Sequence, residues 1–558
     1  MNRKFLAVLA LILASVPALA QQYDVLIRNG RVVDGTGNPW FYADVGITGD
    51  RITLVGRAPE GATARRTLDA KGLVVAPGFI DMLGQSEMAL LIDKSGFSKL
   101  TQGVTTEITG EGESIAPQND ETIAALQDFL THYHLTVDWR TLDQYFRRLE
   151  KQGSGLNLGT YVGAAQVREV VVGREDRAPT ADELQRMQQL VDEAMRQGAL
   201  GVSTALIYAP GNYARTEELI ALAKVAARHG GIYASHIRSE GDAETAALQE
   251  AFRIGREAGL PVEIFHLKVS GKPNWGRMRQ VVEMVEQARA SGLDVAADQY
   301  PYLAGATALS STIPPKYHAG GTPAMVARLK DPAVRAAIRG DLESGRADFE
   351  NWWQLAGPSN IMVNQVLNPA LKRFEGKRVA EIAGLERKDA LDALLDIVIA
   401  DNDNTGAIYF VMSEDDLELA MRQPWVSVGT DYNEVAPAGP LSEGKAHPRA
   451  YGSFPRILGQ YVREQHLMPL EMAVRKFTSL PAHRVKLEQR GELKPGNFAD
   501  VTIFDPARVN DLASYENPAR TSVGIEYVFV NGVLSVEHEK LTGQVGGRPL
   551  RGPGYEKK

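Results

Sequence analysis

Both ends of the chain have the hydrophobic pattern of β-structure. Short apolar runs separated by polar turns occupy residues 23–27, 31–34, 43–47, 51–55 and 73–75, and similar runs recur at 500–504 and 527–532. The Asn29-Gly30 pair between the first two runs predicts a hairpin. Because the two β-rich segments flank a long middle section, we expect residues 21–78 and 486–558 to pair into one small β-sandwich.

The middle section alternates short apolar runs with amphipathic helical stretches. Runs at 201–203, 231–233 and 262–265 precede helical patterns at 217–229, 243–257 and 281–290, and 295–298 and 426–428 are further strand candidates. This alternation predicts parallel strands joined by crossover helices. Over a section this long it favours an α/β fold, a (β/α)8 TIM-like barrel, at residues 79–485. An open doubly wound sheet is the alternative, although no G-x-G-x-x-G follows the first strands.

One stretch interrupts the alternation. From residue 314 to 362 the sequence is first rich in Pro and Gly and then charged and helical around Trp352 and Trp353. We interpret it as a subdomain inserted between barrel elements, which could form a lid. The alternative is a long loop between a strand and a helix.

Composition and charge narrow the class of protein. The 558 residues are 44% hydrophobic and 23% charged, which is typical of a soluble globular protein with a large core. A formal net charge of -8 without a basic stripe argues against nucleic acid as a partner. Since the chain contains no cysteine, cysteine nucleophiles and cysteine metal ligands are excluded.

Residues 1–20 have the pattern of a secretory signal peptide. Arg3 and Lys4 precede an apolar run over residues 5–14, and Ala18-Leu19-Ala20 forms a small-x-small cleavage site before Gln21. The apolar run is shorter than the ~20 residues that span a bilayer, so it does not indicate a stable membrane anchor. We therefore expect an exported protein, periplasmic or secreted.

Two histidines follow predicted barrel strands at the end where barrel enzymes carry their active sites. His236 and His266 end the apolar runs that begin at residues 231 and 262, and each is followed two positions later by a basic residue, Arg238 or Lys268. Because consecutive strand ends open into one mouth, both imidazoles are expected to bind one metal ion there.

Acidic residues follow two further predicted strands. Asp431 could either cap the next loop or accept a proton from a metal-activated water. Glu111 or Glu113 could complete a His-His-Glu zinc site that leaves the fourth position open, or lie in a solvated loop. Of the two, we favour Glu111 as the zinc ligand.

A series of short motifs resembles the N-acyl-D-amino-acid deacylase (D-aminoacylase) branch of the metal-dependent amidohydrolase superfamily. The motifs occur in order over nearly the whole mature chain: DVLIRNG (24–30), VDGTG (33–37), APGFID (76–81), QGVTT (102–106), GVST (201–204), YAPG (208–211), ASHIR (234–238), HLK (266–268), NWG (274–276), DQYPY (298–302), HPR (447–449), GSFPR (452–456) and TSLPA (478–482). Each motif alone is a weak signal, and their shared order makes the resemblance strong.

The resemblance implies a fold, an activity and a set of site residues. The fold is the barrel with a flanking β-sandwich and an insertion, and the activity is metal-dependent hydrolysis of a linear amide such as an N-acyl-D-amino acid. His236 and His266 match the tightly bound metal site, and Asp431 matches the acid-base residue. In the family, certain positions hold the carboxylate of the substrate, and these correspond here to Lys268, Tyr302 and Arg449. Further candidates for the site are Glu113, Arg238 and Tyr300.

The sequence departs from the family pattern at the metal centre. Leu83 and Gln85 stand where the family has a His-x-His pair, Glu111 stands nearest the place of its metal-binding Cys, and Ala164 replaces a further His. Leu cannot bind a metal, and a Gln amide is a poor zinc ligand. Because these losses affect one half of a two-metal centre, we expect one divalent ion, zinc before manganese or iron. Its ligands would be Glu111, His236 and His266.

Other functions stay open at this point. The chain could hydrolyse D-residue dipeptides or cyclic amides, or it could be a catalytically inactive relic that binds acyl amino acids. A serine hydrolase is disfavoured because no G-x-S-x-G motif is present. The expected partner is a small-molecule substrate that carries a carboxylate, and a homo-oligomer is left open.

Overall fold

The computed structural model describes residues 22–345 and 349–557. The predicted signal peptide, residues 1–20, lies outside this range. Within the described part of the chain, no helix is long and apolar enough to cross a bilayer.

Eight parallel strands form a closed barrel. They are Phe79–Asp81, Val104–Thr109, Asn157–Thr160, Gly201–Ala205, Ile232–His236, Val262–Ile264, Val295–Gln299 and Val426–Val428. Backbone hydrogen bonds close the ring, from Leu200 N to Thr160 O (2.9 Å) and from Met82 N to Val428 O (3.0 Å). Every residue of these strands is buried, which explains why they appear in the sequence as short runs without strict alternation. The predicted (β/α)8 barrel is confirmed.

Helices cover the outside of the barrel and close its ends. Ala181–Gln197 shows why they form, since Thr180 and Glu183 make a reciprocal capping box and Met187, Val191 and Ala194 bury one face. The helices outside the insertion are Ala89–Ile92, Phe97–Leu100, Asp120–Ala125, Gln127–His132, Leu142–Gln152, Ala164–Val172, Ala181–Gln197, Thr216–Arg228, Glu244–Ala258, Met278–Ala290, Glu414–Met421, Arg449–Arg456, Leu470–Phe477 and Ser479–Arg484.

The two ends of the chain meet in one nine-stranded sheet beside the barrel. Val74–Pro77 pairs antiparallel with Val501–Phe504 and so joins the N-terminal strands to the C-terminal ones. The sheet has its own apolar core, which includes Ile27, Val45 and Phe529. Its remaining strands are Gln22–Val32, Phe41–Thr48, Arg51–Gly56, Thr63–Asp69, Ile525–Val530, Val533–Glu537 and Lys540–Leu541.

The hairpin predicted at Asn29-Gly30 is wrong. Gln22–Val32 is a single strand, and its register against Phe41–Thr48 shifts between Ile27 and Gly30. Asn29 takes a positive φ of 61° there, and its backbone N–H donates to Asp44 Oδ1 (3.1 Å). At Gly30 a Cβ would lie 2.5 Å from Val75 Cγ2, so glycine is needed for close packing. The pair therefore makes a bulge in one strand.

The insertion lies between the last two barrel strands and spans more of the chain than residues 314–362. It has three antiparallel strands, Ala304–Ala308, Ile361–Gln365 and Gly406–Phe410, with the last one in the middle. Because the outer strands both pair with Gly406–Phe410, the unit includes everything between them. Its helices are Gly321–Leu329, Pro332–Glu343, Trp352–Ala356, Val379–Glu386 and Ala390–Ala400.

Candidate metal centre and catalytic cavity

A cavity of about 510 Å³ opens at the carboxyl ends of the barrel strands. Its inner wall includes Glu111, His236, His266 and Asp431, while insertion residues such as Trp352 form the opposite wall. The volume is in the range of a small-molecule site. The insertion thus covers the mouth of the barrel and contributes to the same cavity.

Three of the predicted metal ligands converge at the base of this cavity. His236 is the last residue of its strand, and His266 and Glu111 each lie two residues beyond theirs. Glu111 Oε1 is 3.0 Å from both His236 Nδ1 and His266 Nε2. Ligand atoms around a tetrahedral zinc ion lie ~3.3 Å apart, given bonds of about 2.0–2.2 Å. One carboxylate and two imidazoles at this spacing fit a single zinc ion with a fourth position open.

The loop that carries Glu111 depends on the glycines on either side. Gly110 and Gly112 have φ angles of 91° and 67°, in the left-handed region that favours glycine. The Gly112 N–H donates to Ser203 Oγ (3.1 Å), and a Cβ at residue 112 would lie 2.5 Å from Ala205. These constraints turn the chain sharply after its strand and place the Glu111 carboxylate between the two imidazoles.

His266 and Asp431 also have positive φ angles, 36° and 51°. Backbone hydrogen bonds hold both residues, since His266 N donates to Asp298 Oδ1 (3.0 Å) and Asp431 N donates to Leu83 O (2.7 Å). A non-glycine residue in this region costs about 1–3 kcal/mol and persists where the surroundings enforce it. The fold therefore imposes the direction of both side chains.

Glu240 holds His266 from the side opposite the metal ligands. Its Oε1 lies 2.9 Å from His266 Nδ1 and 2.6 Å from Lys268 Nζ. A carboxylate behind a metal-binding histidine fixes the tautomer that leaves the other nitrogen free for the ion. Although burial opposes it, the positive charge of Lys268 holds the pKa of Glu240 below its usual range.

A second group of donor atoms, from His236, Glu240 and Glu350, lies within 4.8 Å of one another. His236 Nε2, Glu240 Oε2 and Glu350 Oε1 are buried and have no hydrogen-bond partner among the described residues. A neutral imidazole has one lone pair, so a histidine that offers Nδ1 to an ion carries its proton on Nε2. The two carboxyl groups therefore lie near this proton without making a hydrogen bond to it. Burial, together with the charge of Glu240, raises the pKa of Glu350 to about 8.

Asp431 lies beside the predicted ligands and pairs with a buried guanidinium. Arg449 Nη1 is 2.7 Å from Asp431 Oδ2, and the Arg449 side chain is only 1% exposed. Burial raises the pKa of Asp431 above its usual range, and the charge of Arg449 opposes this shift. The other carboxylate oxygen, Oδ1, is 3.3 Å from the side-chain nitrogen of Gln85, which also lines the cavity.

The remaining predicted residues divide into two groups. Lys268, Tyr300 and Glu113 line the cavity. Tyr302 instead donates its hydroxyl to Asp511 Oδ2 (3.0 Å), and Arg238 pairs with Glu250 (2.8 Å). Tyr302 and Arg238 are thus already bound to protein partners, whereas Arg449 is ion-paired with Asp431 but keeps Nε and Nη1 without a hydrogen-bond partner among the described residues. Their roles toward a substrate stay predictions.

Three residues around His236 were not assigned a role from the sequence. Glu240 could have been found because it lies four residues after His236, and Tyr208 opens the YAPG motif, whereas Glu350 carries no recognisable signal. The Tyr208 ring packs edge-on against His236 at 5.4 Å between ring centroids. Glu350 comes from the insertion, and only the tertiary structure brings it to the barrel mouth.

Comparison with known proteins gives consistent results. Residues 66–536 match the Amidohydrolase family. A D-aminoacylase from Alcaligenes xylosoxydans xylosoxydans is 36% identical over 532 residues, which cover 95% of this chain and 98% of that protein. The structure of N-acyl-D-glutamate deacylase from Bordetella bronchiseptica, solved with zinc and a phosphonate inhibitor, matches this one with a TM-score of 0.78 at 33% identity. The match covers 95% of this chain and 99% of that protein's chain.

A D-aminoacylase with a binuclear metal centre, activated by one metal and attenuated by the second, is similarly close. Its TM-score is 0.79 at 35% identity, and the match covers 95% of this chain and 100% of that one. The family match spans most of the chain, and the sequence resemblance, the barrel and the clustered ligands agree with it. The chain therefore belongs to the amidohydrolase family, next to the D-aminoacylases.

Proposed function

We propose that this protein is an exported, metal-dependent hydrolase that removes the acyl group from N-acyl-D-amino acids. The observation that carries the proposal is the convergence of Glu111, His236 and His266, with Asp431 beside them, in one cavity. The relatives named for D-aminoacylase and N-acyl-D-glutamate deacylase activity match nearly the full chain, which supports the same substrate class.

Glu111, His236 and His266 would hold a divalent ion, which would supply Lewis acidity toward the acyl carbonyl and lower the pKa of a water molecule. Asp431 accepts the water proton on Oδ1, where the single contact from Gln85 leaves one lone pair, while Oδ2 is ion-paired with Arg449. The raised pKa of Asp431 suits a group that must also return this proton to the leaving amine. Glu240 keeps His266 in the tautomer that binds the ion.

The cavity offers two groups for the carboxylate of the substrate. The Tyr300 hydroxyl is buried and has no hydrogen-bond partner within the described ranges, so it can donate to a substrate oxygen. Lys268 Nζ lies 5.7 Å from the centre of the same ring; since it is already bound to Glu240 and His266, it contributes positive charge rather than a free donor. Together they would orient the amide rather than take part in bond cleavage. The Tyr300 hydroxyl adds a candidate contact to the predicted set of Lys268, Tyr302 and Arg449.

Export is proposed from residues 1–20 alone, with cleavage after Ala20. Cell fractionation followed by N-terminal sequencing tests it. A periplasmic or secreted chain that begins at Gln21 supports export, and a cytoplasmic chain that keeps Met1 contradicts it. Whether the mature protein forms a homo-oligomer stays a prediction, which light scattering on the purified protein can test.

The experiment that tests the proposed function combines metal analysis with a substrate panel. Protein from residue 21 onward is stripped of metal, given one equivalent of zinc, desalted and measured by elemental mass spectrometry. We expect about one zinc per chain, and turnover of N-acyl-D-amino acids but not of their L-enantiomers. If the protein instead hydrolyses D-dipeptides or cyclic amides faster, these compounds and not N-acyl-D-amino acids are its substrate class. Protein that retains no zinc would contradict the mechanism and favour the binding-protein alternative.

Asp431→Asn separates catalysis from metal binding. We expect kcat to fall by roughly 10²–10⁴-fold, since a general acid-base group contributes about this much. Zinc content should stay at one ion because Asp431 is not among the three ligands. The matched control is Asp182→Asn on the exposed face of Ala181–Gln197, which should keep full activity. Full activity of Asp431→Asn would remove this residue from the mechanism.

A further inference from the structure

Gln85 occupies the gap between the metal ligand Glu111 and the acid-base residue Asp431. Its side-chain nitrogen Nε2 lies 3.1 Å from Glu111 Oε2 and 3.3 Å from Asp431 Oδ1. Glu111 is a predicted metal ligand and Asp431 the predicted acid-base residue, so one amide nitrogen contacts both the metal site and the catalytic group. Gln85 is an exposed side chain on the cavity wall, so it has no role in filling the core.

The chemistry of the neighbours decides which end of the amide faces them. Both contacting groups are carboxylates, which only accept hydrogen bonds when ionised. The amide oxygen would be repelled by both, whereas the NH₂ group has two hydrogens, one for each carboxylate. The orientation with Nε2 toward Glu111 and Asp431 is therefore the stable one.

The same gap has the features of a cation site. Two carboxylate oxygens point at one position, and their charges repel unless something positive or hydrogen-donating lies between them. A related D-aminoacylase has a binuclear metal centre, with activation by one metal and attenuation by the second. In this chain the donor between the two carboxylates is the Gln85 amide.

We infer that Gln85 restricts the centre to one metal ion, because its NH₂ group bridges Glu111 and Asp431 where a second ion would otherwise bind. The amide N–H groups occupy the lone pairs of Glu111 Oε2 and Asp431 Oδ1 that a second ion would need. The neutral amide also brings no negative charge that could attract an ion. It also holds the two carboxylates at a fixed separation, which makes Gln85 a positioning residue for Asp431. This inference rests on the proposed function for the identity of the first site.

The test measures zinc per chain as zinc is increased from one to ten equivalents, for the wild type and for Gln85→Glu. The variant keeps the size of the side chain but replaces the NH₂ donor with an oxygen ligand, so three carboxylates would surround the gap. We expect the wild type to stay at one ion and Gln85→Glu to reach two. The control is Gln280→Glu on the exposed face of Met278–Ala290, which adds the same charge away from the cavity and should keep one ion.

Kinetics supply the second readout. Excess zinc should leave the kcat of the wild type unchanged, while the kcat of Gln85→Glu should change as the second ion binds, with little change in KM. A wild type that binds two ions, or a Gln85→Glu variant that still binds one, would overturn the inference. A wild type that binds no zinc at one equivalent would instead overturn the proposed function. In that case the inference about Gln85 falls as well, whereas two ions in the wild type would overturn the inference alone.

Discussion

At the scale of single residues, a fully buried lysine lies below the catalytic cavity. Lys99 Nζ is 2.7 Å from Asp81 Oδ2, from Thr430 Oγ1 and from Tyr432 O, and 3.1 Å from Glu107. Burial opposes its charge, yet Asp81 and Glu107 raise the pKa of Lys99 above its usual value. Because Thr430 and Tyr432 flank Asp431, this ammonium group fixes the backbone that carries the predicted acid-base residue.

Replacing Lys99 with Met should therefore destabilise the protein strongly. The substitution leaves the buried Asp81 and Glu107 without their counter-charge, and losing one partner of a buried ion pair costs about 3–5 kcal/mol. Urea unfolding measures the free energy of unfolding. Lys224→Met, at an exposed position of Thr216–Arg228, is the matched control and should change it by less than about 0.5 kcal/mol. Equal stabilities of the two variants would contradict this account of Lys99.

At the scale of elements, the site is built from turns that follow barrel strands. The sequence identified the strands that carry His236, His266 and Asp431, because a buried apolar run ends just before each residue. It could not show the backbone geometry of the turns. The prediction of a hairpin at Asn29-Gly30 was wrong because the sequence does not show backbone geometry. A residue pair that favours positive φ suits a bulge as well as a tight turn.

Gly112→Ala tests the turn that places Glu111. A Cβ at residue 112 would lie 2.5 Å from Ala205, and the positive φ adds strain, so the loop must shift. We expect zinc affinity to fall roughly 10–100-fold, the range seen when the support of a metal ligand is lost. Competition with a zinc chelator measures the affinity. Gly384→Ala, in a helix with open space around the new Cβ, should keep the wild-type affinity. Unchanged affinity of Gly112→Ala would show that the turn tolerates a side chain.

At the scale of the whole molecule, the C-terminal segment ties the barrel to the sheet formed by the chain ends. Gly547 N donates to Ser154 O, Leu550 N donates to Leu158 O and Gly552 N donates to Gly198 O, each at 2.8 Å. Leu550 is buried against the barrel, in a cluster with Ile108, Tyr161 and Leu200. The segment thus lies along the third barrel strand, Asn157–Thr160, and continues to the loop before the fourth.

Deleting residues 543–558 should lower the free energy of unfolding by about 7 kcal/mol. The segment makes five backbone hydrogen bonds to the rest of the chain, at about 1 kcal/mol each, and buries one leucine, at about 2 kcal/mol. Thermal and urea unfolding of the truncated protein measure it. Removal of residues 557–558 alone is the control and should leave stability unchanged. A truncated protein as stable as the full chain would show that the barrel does not need this segment.

The sequence by itself determined the fold class, the family and the approximate positions of the site. Local hydrophobic periodicity reports burial, and a buried parallel strand followed by a polar residue indicates the active end of a barrel. This placed His236, His266 and Asp431 at strand ends, while the family resemblance favoured Glu111 over Glu113 and gave Asp431 its predicted role. Family membership follows from short motifs in a fixed order, which need no three-dimensional information.

Only the tertiary structure decided which groups meet. Glu350 reaches His236 and Glu240 from an insertion more than 100 residues after them in the chain, and Arg449 joins Asp431 from the helix after the last barrel strand. Gln85 was noted in the sequence as a missing histidine, but its position between two carboxylates follows from closure of the barrel. Contacts of this kind depend on long-range packing and on turn geometry, and neither leaves a periodic trace in the sequence.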